Sequence, residues 1–209
     1  MAYLADAAGR ILRAVSRARI PVSSVAGVYA ASILVGIVMV HGGSPHALDY
    51  RDKLVGDAAR HDPAAIESNQ GRMLRAAFTD FAGNLVLGSV PKTVMGMSIV
   101  FPYPFVAYQG WVGGIVSVRA DHTSRLNHGR PAAYYLLTVV LQITAYSLAV
   151  GAGVNVGMSL FRPRTCYQGE KLARLIPREA LLDVLRIYAL ATPIFLVASL
   201  WEFLSPWNI

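Results

Sequence analysis

The chain has 209 residues, of which 55% are hydrophobic and 15% charged, against about 25% charged in an ordinary soluble domain. That balance excludes a freely soluble globular protein, and the single cysteine, Cys166, excludes an internal disulfide framework and any Cys-rich zinc or iron–sulfur site. The formal net charge of +7 is read as membrane topology rather than nucleic-acid binding, because Lys and Arg gather on cytoplasmic flanks and beside anionic headgroups.

The apolar residues fall in blocks and lack the alternation of a barrel strand. Backbone polar groups inside a bilayer must be satisfied within each span, so the expected fold is an all-α, polytopic helical membrane bundle of about five transmembrane helices, some broken or kinked. In chain order, residues 1–20 form a cytoplasmic amphipathic segment, with Arg10, Arg13, Arg17 and Arg19 opposite Ile11, Leu12 and Val15. Residues 21–40 form the first transmembrane helix, opened by Pro21; the run exceeds the apolar region of a usual signal peptide, and no A-x-A site comes after it.

Residues 41–75 are an external polar segment with nearly balanced charge. Leu48, Leu54, Val55, Ala58 and Ala59 suit a short amphipathic helix ending near His61-Asp62-Pro63. Residues 76–209 are the helical membrane core. Between Met73 and Val118 either one or two crossings fit; two place more positive charge on the cytoplasmic side, one ending at Pro91 and the next interrupted at Pro102 and Pro104. The loop 119–131 then lies outside, the longest apolar block covers 132–161, and a basic cytoplasmic loop comes next at 162–178 with Arg162, Arg164, Lys171 and Arg174. A last span, 181–204, carries Trp201 near its end with Trp207 just beyond, so the N-terminus is cytoplasmic and the C-terminus external.

Gly110 and Gly114, and Gly153 and Gly157, stand four apart and share a helix face. Glycine there lets another backbone approach, so these four are expected to form a close contact between the spans containing 105–118 and 145–158. Asn84, Gln109, Gln142 and Asn155 are intramembrane amides suited to joining helices, and Glu202 lies inside an apolar terminal helix where a specific partner is expected. Asp80, Lys92, Asp183 and Arg186 sit near span ends, where snorkelling accounts for them. His122 and His128 are six apart without further ligands, and no G-x-S-x-G, Walker, HExxH or Rossmann pattern occurs. No catalytic residues, metal or cofactor are therefore expected.

The segments FAGNLVLG (81–88), YQGWVGG (108–114), LQITAYSLAVGAGVNVG (141–157) and ASLWEFLSP (198–206) together resemble the stage II sporulation protein M-like family of integral membrane proteins over roughly residues 78–206. Gln109-Gly110 replaces the family's usual Asn-Gly, and Gln142 stands near where an acid is common. The resemblance implies a bacterial or archaeal inner-membrane protein with no catalytic residues to carry over; the founding member resembles a scaffold for peptidoglycan-remodelling enzymes during spore engulfment. The expected role is a non-catalytic membrane scaffold or accessory subunit. Its expected partners are membrane lipids and other membrane or envelope proteins, including those of a larger complex, with no nucleic acid. The alternative is a transporter or channel subunit with a site between broken helices, since broken spans and facing amides also build midplane sites.

Overall fold

The computed structural model describes residues 2–161, 167, 171–172 and 176–207. Cys166, Arg162, Arg164 and Arg174 of the basic stretch lie outside the described residues. The protein is almost wholly helical. It comprises α1 (Ala2–Arg17), α2 (Arg19–His41), α3 (Pro45–His61), α4 (Pro63–Asn69), α5 (Met73–Ala82), a π-helical segment (Gly83–Ser89), α6 (Val90–Gly96), α7 (Pro102–Ile115), α8 (Gly129–Phe161) and α9 (Arg178–Leu204). Two-residue strands β1 (Lys171–Leu172) and β2 (Ile176–Pro177) pair antiparallel just before α9, a small exception to the all-α expectation.

Three helices, α2, α8 and α9, are long and apolar enough to cross a membrane. The buried residues of α2 are Pro21, Val25, Tyr29, Ile33, Gly36 and Val40, a single stripe at three- and four-residue spacing, while Leu34, Val35 and Val38 face outward. Apolar residues all round a helix with one stripe packed are what a lipid-embedded helix requires. α8 occupies the middle of the bundle: every residue from Ala145 to Gly157 is buried, and α2, α6 and α9 pack around it. Its first half is less enclosed, with Leu136, Leu137 and Val140 exposed.

The contacts also fix helix direction. Gly36 meets Gly114 and Tyr29 meets Gly110, so α2 and α7 run parallel; Gly151 meets Val22 while Tyr146 stacks on Tyr29, so α8 runs against them. Gly96 meets Val150 and Gly153, so α6 runs with α8. Ser199 of α9 reaches Asp80 and Tyr188 reaches Thr93, so α9 runs against the α5–α6 run. Five helical runs thus extend between one end of the bundle, marked by α1, and the other, marked by α3.

Two expectations about prolines need correction. The helix does not stop at Pro91 but runs from Met73 to Gly96, because the π-helical winding of 83–89 comes just before the residue that cannot donate; the Val90 N–H bonds back to Leu85 O, one residue further than in an α-helix. Nor do Pro102 and Pro104 interrupt a span. The break lies earlier, at residues 97–101, where Ile99 takes a positive φ of 68°, and Pro102 is the first residue of α7, where its missing N–H costs nothing. Outside the bundle, Asp62 ends α3 and caps α4 by accepting from the Ala64 and Ala65 amides (2.7 and 3.1 Å).

Candidate functional site

The glycines make backbone-to-backbone contacts, but the two pairs do not meet each other. A Cβ on Gly110 would stand 2.6 Å from Tyr29 O, and one on Gly114 2.2 Å from Ile33 O, so this pair holds α7 against α2. A Cβ on Gly153 would stand 2.0 Å from Thr93 O, and one on Gly157 2.3 Å from Met97 O, so the second pair holds α8 against α6 and the turn after it. The expected contact between the two spans is therefore replaced by two separate clamps. Gly36, which approaches α7 from the other side, belongs to the first clamp; it has no glycine four residues away on α2 and so carries no pair signal.

Four of the five polar candidates gather along a seam inside the bundle. Glu202 accepts a hydrogen bond from Gln142 Nε2 (3.2 Å), joining α9 to α8. Deeper, Asp80 accepts from Ser199 Oγ (2.6 Å) and from Asn84 Nδ2 (2.8 Å), joining α5 to α9 and to the π segment. Asn84 Oδ1 accepts from Tyr146 OH (2.7 Å). Lys92 Nζ then lies 4.5 Å from the centre of the Tyr146 ring and donates to Gln109 Oε1, linking α6, α7 and α8. Thr93 Oγ1 donates to Ala149 O (2.9 Å) and shares a hydrogen bond with Tyr188 OH (2.7 Å), which also contacts Ser89 Oγ (3.1 Å). An acid and a base in one helical run are thereby connected through Asn84 and Tyr146 without forming an ion pair.

This arrangement revises the snorkelling account of Asp80 and Lys92: both side chains turn inward to named partners. Sequence reasoning misses Tyr146, Tyr188 and Ser199. The signal for Tyr146 is its position four residues after Gln142 and seven before Gly153, on the helix face that both occupy.

Asn155, the fifth candidate, sits toward the α1 end. Its Nδ2 donates to Tyr167 OH, which donates to Asp183 Oδ2 (3.0 Å). Asp183 is 1% exposed and takes Arg17 in a two-pronged pair, Nε to Oδ2 and Nη2 to Oδ1, both 2.6 Å. Arg186 Nη1 adds a contact to Oδ1 (2.9 Å) and pairs with Glu179. The Asp183 carboxylate hydrogen-bonded to Arg17 holds that guanidinium firmly protonated. Asp183 is thus a buried anchor for α1, not a snorkelling group. Leu12, on the opposite part of α1, stays outward while Ala14 and Ala18 pack inward.

Among the described residues, His, Cys, Asp and Glu do not gather in groups of three that could hold a metal ion. His122 instead pairs with Asp52 (2.9 Å), tying the loop after α7 to α3. Comparisons with protein-family models, curated proteins and solved structures found no match to this chain. The geometry defines an α-helical, membrane-associated bundle with an internal polar seam.

Proposed function

We propose that the chain is a multi-pass integral membrane protein that acts as a non-catalytic scaffold or accessory subunit, assembling with other membrane or envelope proteins. In this reading all five helical runs cross the bilayer. Arg17 of α1 meets Asp183, which also accepts from Tyr167, at one end of the bundle, and the positive charge of α1 and of the sequence 162–178 makes that end cytoplasmic by the positive-inside rule, so the C-terminus is external. The resemblance to the stage II sporulation protein M-like family supports a bacterial or archaeal inner membrane.

The observation that carries the scaffold reading is the pair of glycine clamps. They fix α2 to α7 and α6 to α8 with carbonyl oxygens where a Cβ would otherwise stand, so these pairs cannot slide without losing close packing. Such a rigid bundle suits a platform better than a machine whose helices must part. The test is purification in mild detergent with identification of co-purifying proteins, alongside deletion of the gene. A larger membrane complex should lose recovery or localisation while its isolated catalytic subunits keep their activity. Recovery of the protein alone, with no complex altered by deletion, would refute the scaffold role. Single-cysteine labelling at Ser68, Thr123 and Thr165 in a Cys166-free background tests the topology, with Ser68 and Thr123 outside and Thr165 inside.

A second reading, transport, is favoured by the seam from Asp80 through Asn84 and Tyr146 to Lys92, since ionisable residues within membrane helices mark ion and proton paths. Reconstitution of the purified protein alone separates the two. Solute or proton flux lost on Gln109, Gln142 or Asn155 substitution would replace the scaffold reading with transport.

A further inference from the structure

At the α3 end, the space between α7 and α8 opens into a cleft of about 260 Å³. One face of α8 supplies most of its wall, with Thr138 and Gln142 four apart and Val139 in the adjoining row. Two opposite charges border it: Arg125, from the loop before α8, and Glu202, from the last turn of α9. They are close enough for Arg125 to act on the Glu202 carboxylate across the gap. Arg125 Nε is nevertheless buried with no hydrogen-bond partner, and a buried donor left so carries its full desolvation cost. Burial disfavours the Arg125 charge, and Arg51 and Arg119 add repulsion, while Tyr134 and Tyr135 act in the opposite direction.

The rest of the lining presents acceptors. Tyr135 OH donates to Gly113 O (3.0 Å) and Thr138 Oγ1 to Tyr134 O (2.9 Å), so the protons of both hydroxyls are committed and their oxygens are left to accept. Gln142 Nε2 donates to Glu202 Oε2 (3.2 Å), which leaves the amide oxygen as a further acceptor beside the carboxylate. The cleft thus has a donor end at Arg125 and an acceptor end at Glu202 and Gln142, with Val116 and Val139 as an apolar wall.

We propose that this cleft binds a small zwitterion, a short-chain aliphatic α-amino acid, with its carboxylate on Arg125, its ammonium on Glu202 and Gln142, and its side chain against Val116 and Val139. A planar guanidinium suits a carboxylate in two-point contact. An anion alone would also face Glu202, and a cation alone would face Arg125, so one ligand group of each sign answers both charges. The space of about 260 Å³ corresponds to roughly nine waters at about 30 Å³ each, enough for a small amino acid. The inference stands whether the protein is a scaffold or a transporter, because binding at equilibrium requires no flux.

The test is equilibrium dialysis of radiolabelled L-alanine against the full-length protein in phosphatidylglycerol nanodiscs, a lipid without an ammonium group. The wild type should bind L-alanine saturably at about millimolar concentration or below. Propionate and ethylamine, each with one charge of the pair, should compete roughly tenfold less well or worse. Glu202→Gln should weaken L-alanine while strengthening propionate, and Arg125→Gln should weaken L-alanine while strengthening ethylamine; loss of structure alone would weaken every ligand. Val139→Phe, which fills the apolar wall and leaves both charges in place, should lose L-alanine, whereas Arg60→Gln on the exposed face of α3 should bind as the wild type does. Absence of saturable binding by the folded wild type, or wild-type competition by propionate or ethylamine equal to that of L-alanine, would overturn the proposal. So would folded charge variants that shift all three ligands alike. Displacement of L-alanine by phosphatidylethanolamine added to the nanodisc would also overturn it, since the zwitterion held there would then be a lipid headgroup.

Discussion

The neighbouring glycines of α7 allow one packing argument to be tested with its own control. Gly114→Ala places a methyl 2.2 Å from Ile33 O and 2.9 Å from both Gly36 Cα and Ile37 N, all backbone atoms that no rotamer can move. Reaching ordinary contact at 3.4 Å requires 3.4 − 2.2 = 1.2 Å of separation between α2 and α7. The helices cannot tilt apart at this point alone, because Gly110 one turn away is also in backbone contact, where a Cβ would stand 2.6 Å from Tyr29 O. Overpacking of this kind costs about 1–3 kcal/mol, and the rigid neighbours place it at the upper end. Gly113→Ala meets nothing closer than Ile33 Cγ1 at 3.7 Å, an ordinary contact. Both variants gain the same helix preference of alanine over glycine, about 1 kcal/mol, so it cancels in the comparison. Equilibrium unfolding in mixed micelles should therefore put Gly114→Ala about 2–3 kcal/mol below Gly113→Ala. Values within about 0.5 kcal/mol of each other would show that α2 and α7 are not in backbone contact there.

Asp183→Asn removes the charge that takes Arg17 and leaves that guanidinium beside Arg186. Arg17 and Arg186 each keep about a quarter of their side chains exposed, so the loss should be about 2–3 kcal/mol, below that of a fully enclosed pair; limited proteolysis at Arg10 and Arg13 should accelerate, and an unchanged rate would show that α1 docks by other means. Gln109→Leu leaves Lys92 without its acceptor and should cost about 1–3 kcal/mol, with Gln109→Glu restoring or exceeding wild-type stability; a neutral leucine variant would place Lys92 against lipid headgroups or water. Hydrogen bonds from Arg51 and His122 hold the Asp52 carboxyl below its ordinary range. The sign comes from linkage: a depressed aspartate stabilises above its unfolded pKa, and that contribution is lost as pH falls through the folded value. Amide protection factors in residues 119–125, the observed exchange corrected for its intrinsic pH dependence, should therefore fall as pH drops below the usual aspartate range, an effect Asp52→Asn should abolish.

The sequence marks positions better than partners. Glycines four apart identified contact faces because the spacing is a property of one helix, but which helix meets that face depends on the arrangement of all of them, and Gly36 has no such repeat on α2. The punctuation at Asp62-Pro63 was legible for the same local reason: the cap is made within three residues. Pro91 misled because a proline rule assumes α-helical hydrogen bonding on both sides, whereas here the preceding turns are wound differently. Glu202 and Gln142 were visible as polar residues in apolar runs, but the connection from Asp80 to Lys92 was not. It passes through Tyr146, whose aromatic ring raises no alarm in a membrane helix until its hydroxyl and its face are both seen in use.

The π-helical segment also sets the azimuth of α6. Twelve residues separate Asp80 from Lys92, and at roughly 100° per residue an uninterrupted α-helix would leave them about 120° apart, on different sides of the run. Bonding to the fifth residue instead of the fourth takes up about one additional residue, a lag of roughly 100°. That lag brings Lys92 back to the side of Asp80, so that Tyr146 meets Asn84 with its hydroxyl and Lys92 with its ring. The seven residues from Gly83 to Ser89 therefore act as a phase correction. Deleting one of them would restore regular winding with eleven residues from acid to base, again about 20° apart at roughly 100° per residue, so the pair would keep one face; deleting two, or imposing α-helical winding on the present seven residues, would swing the lysine out toward lipid.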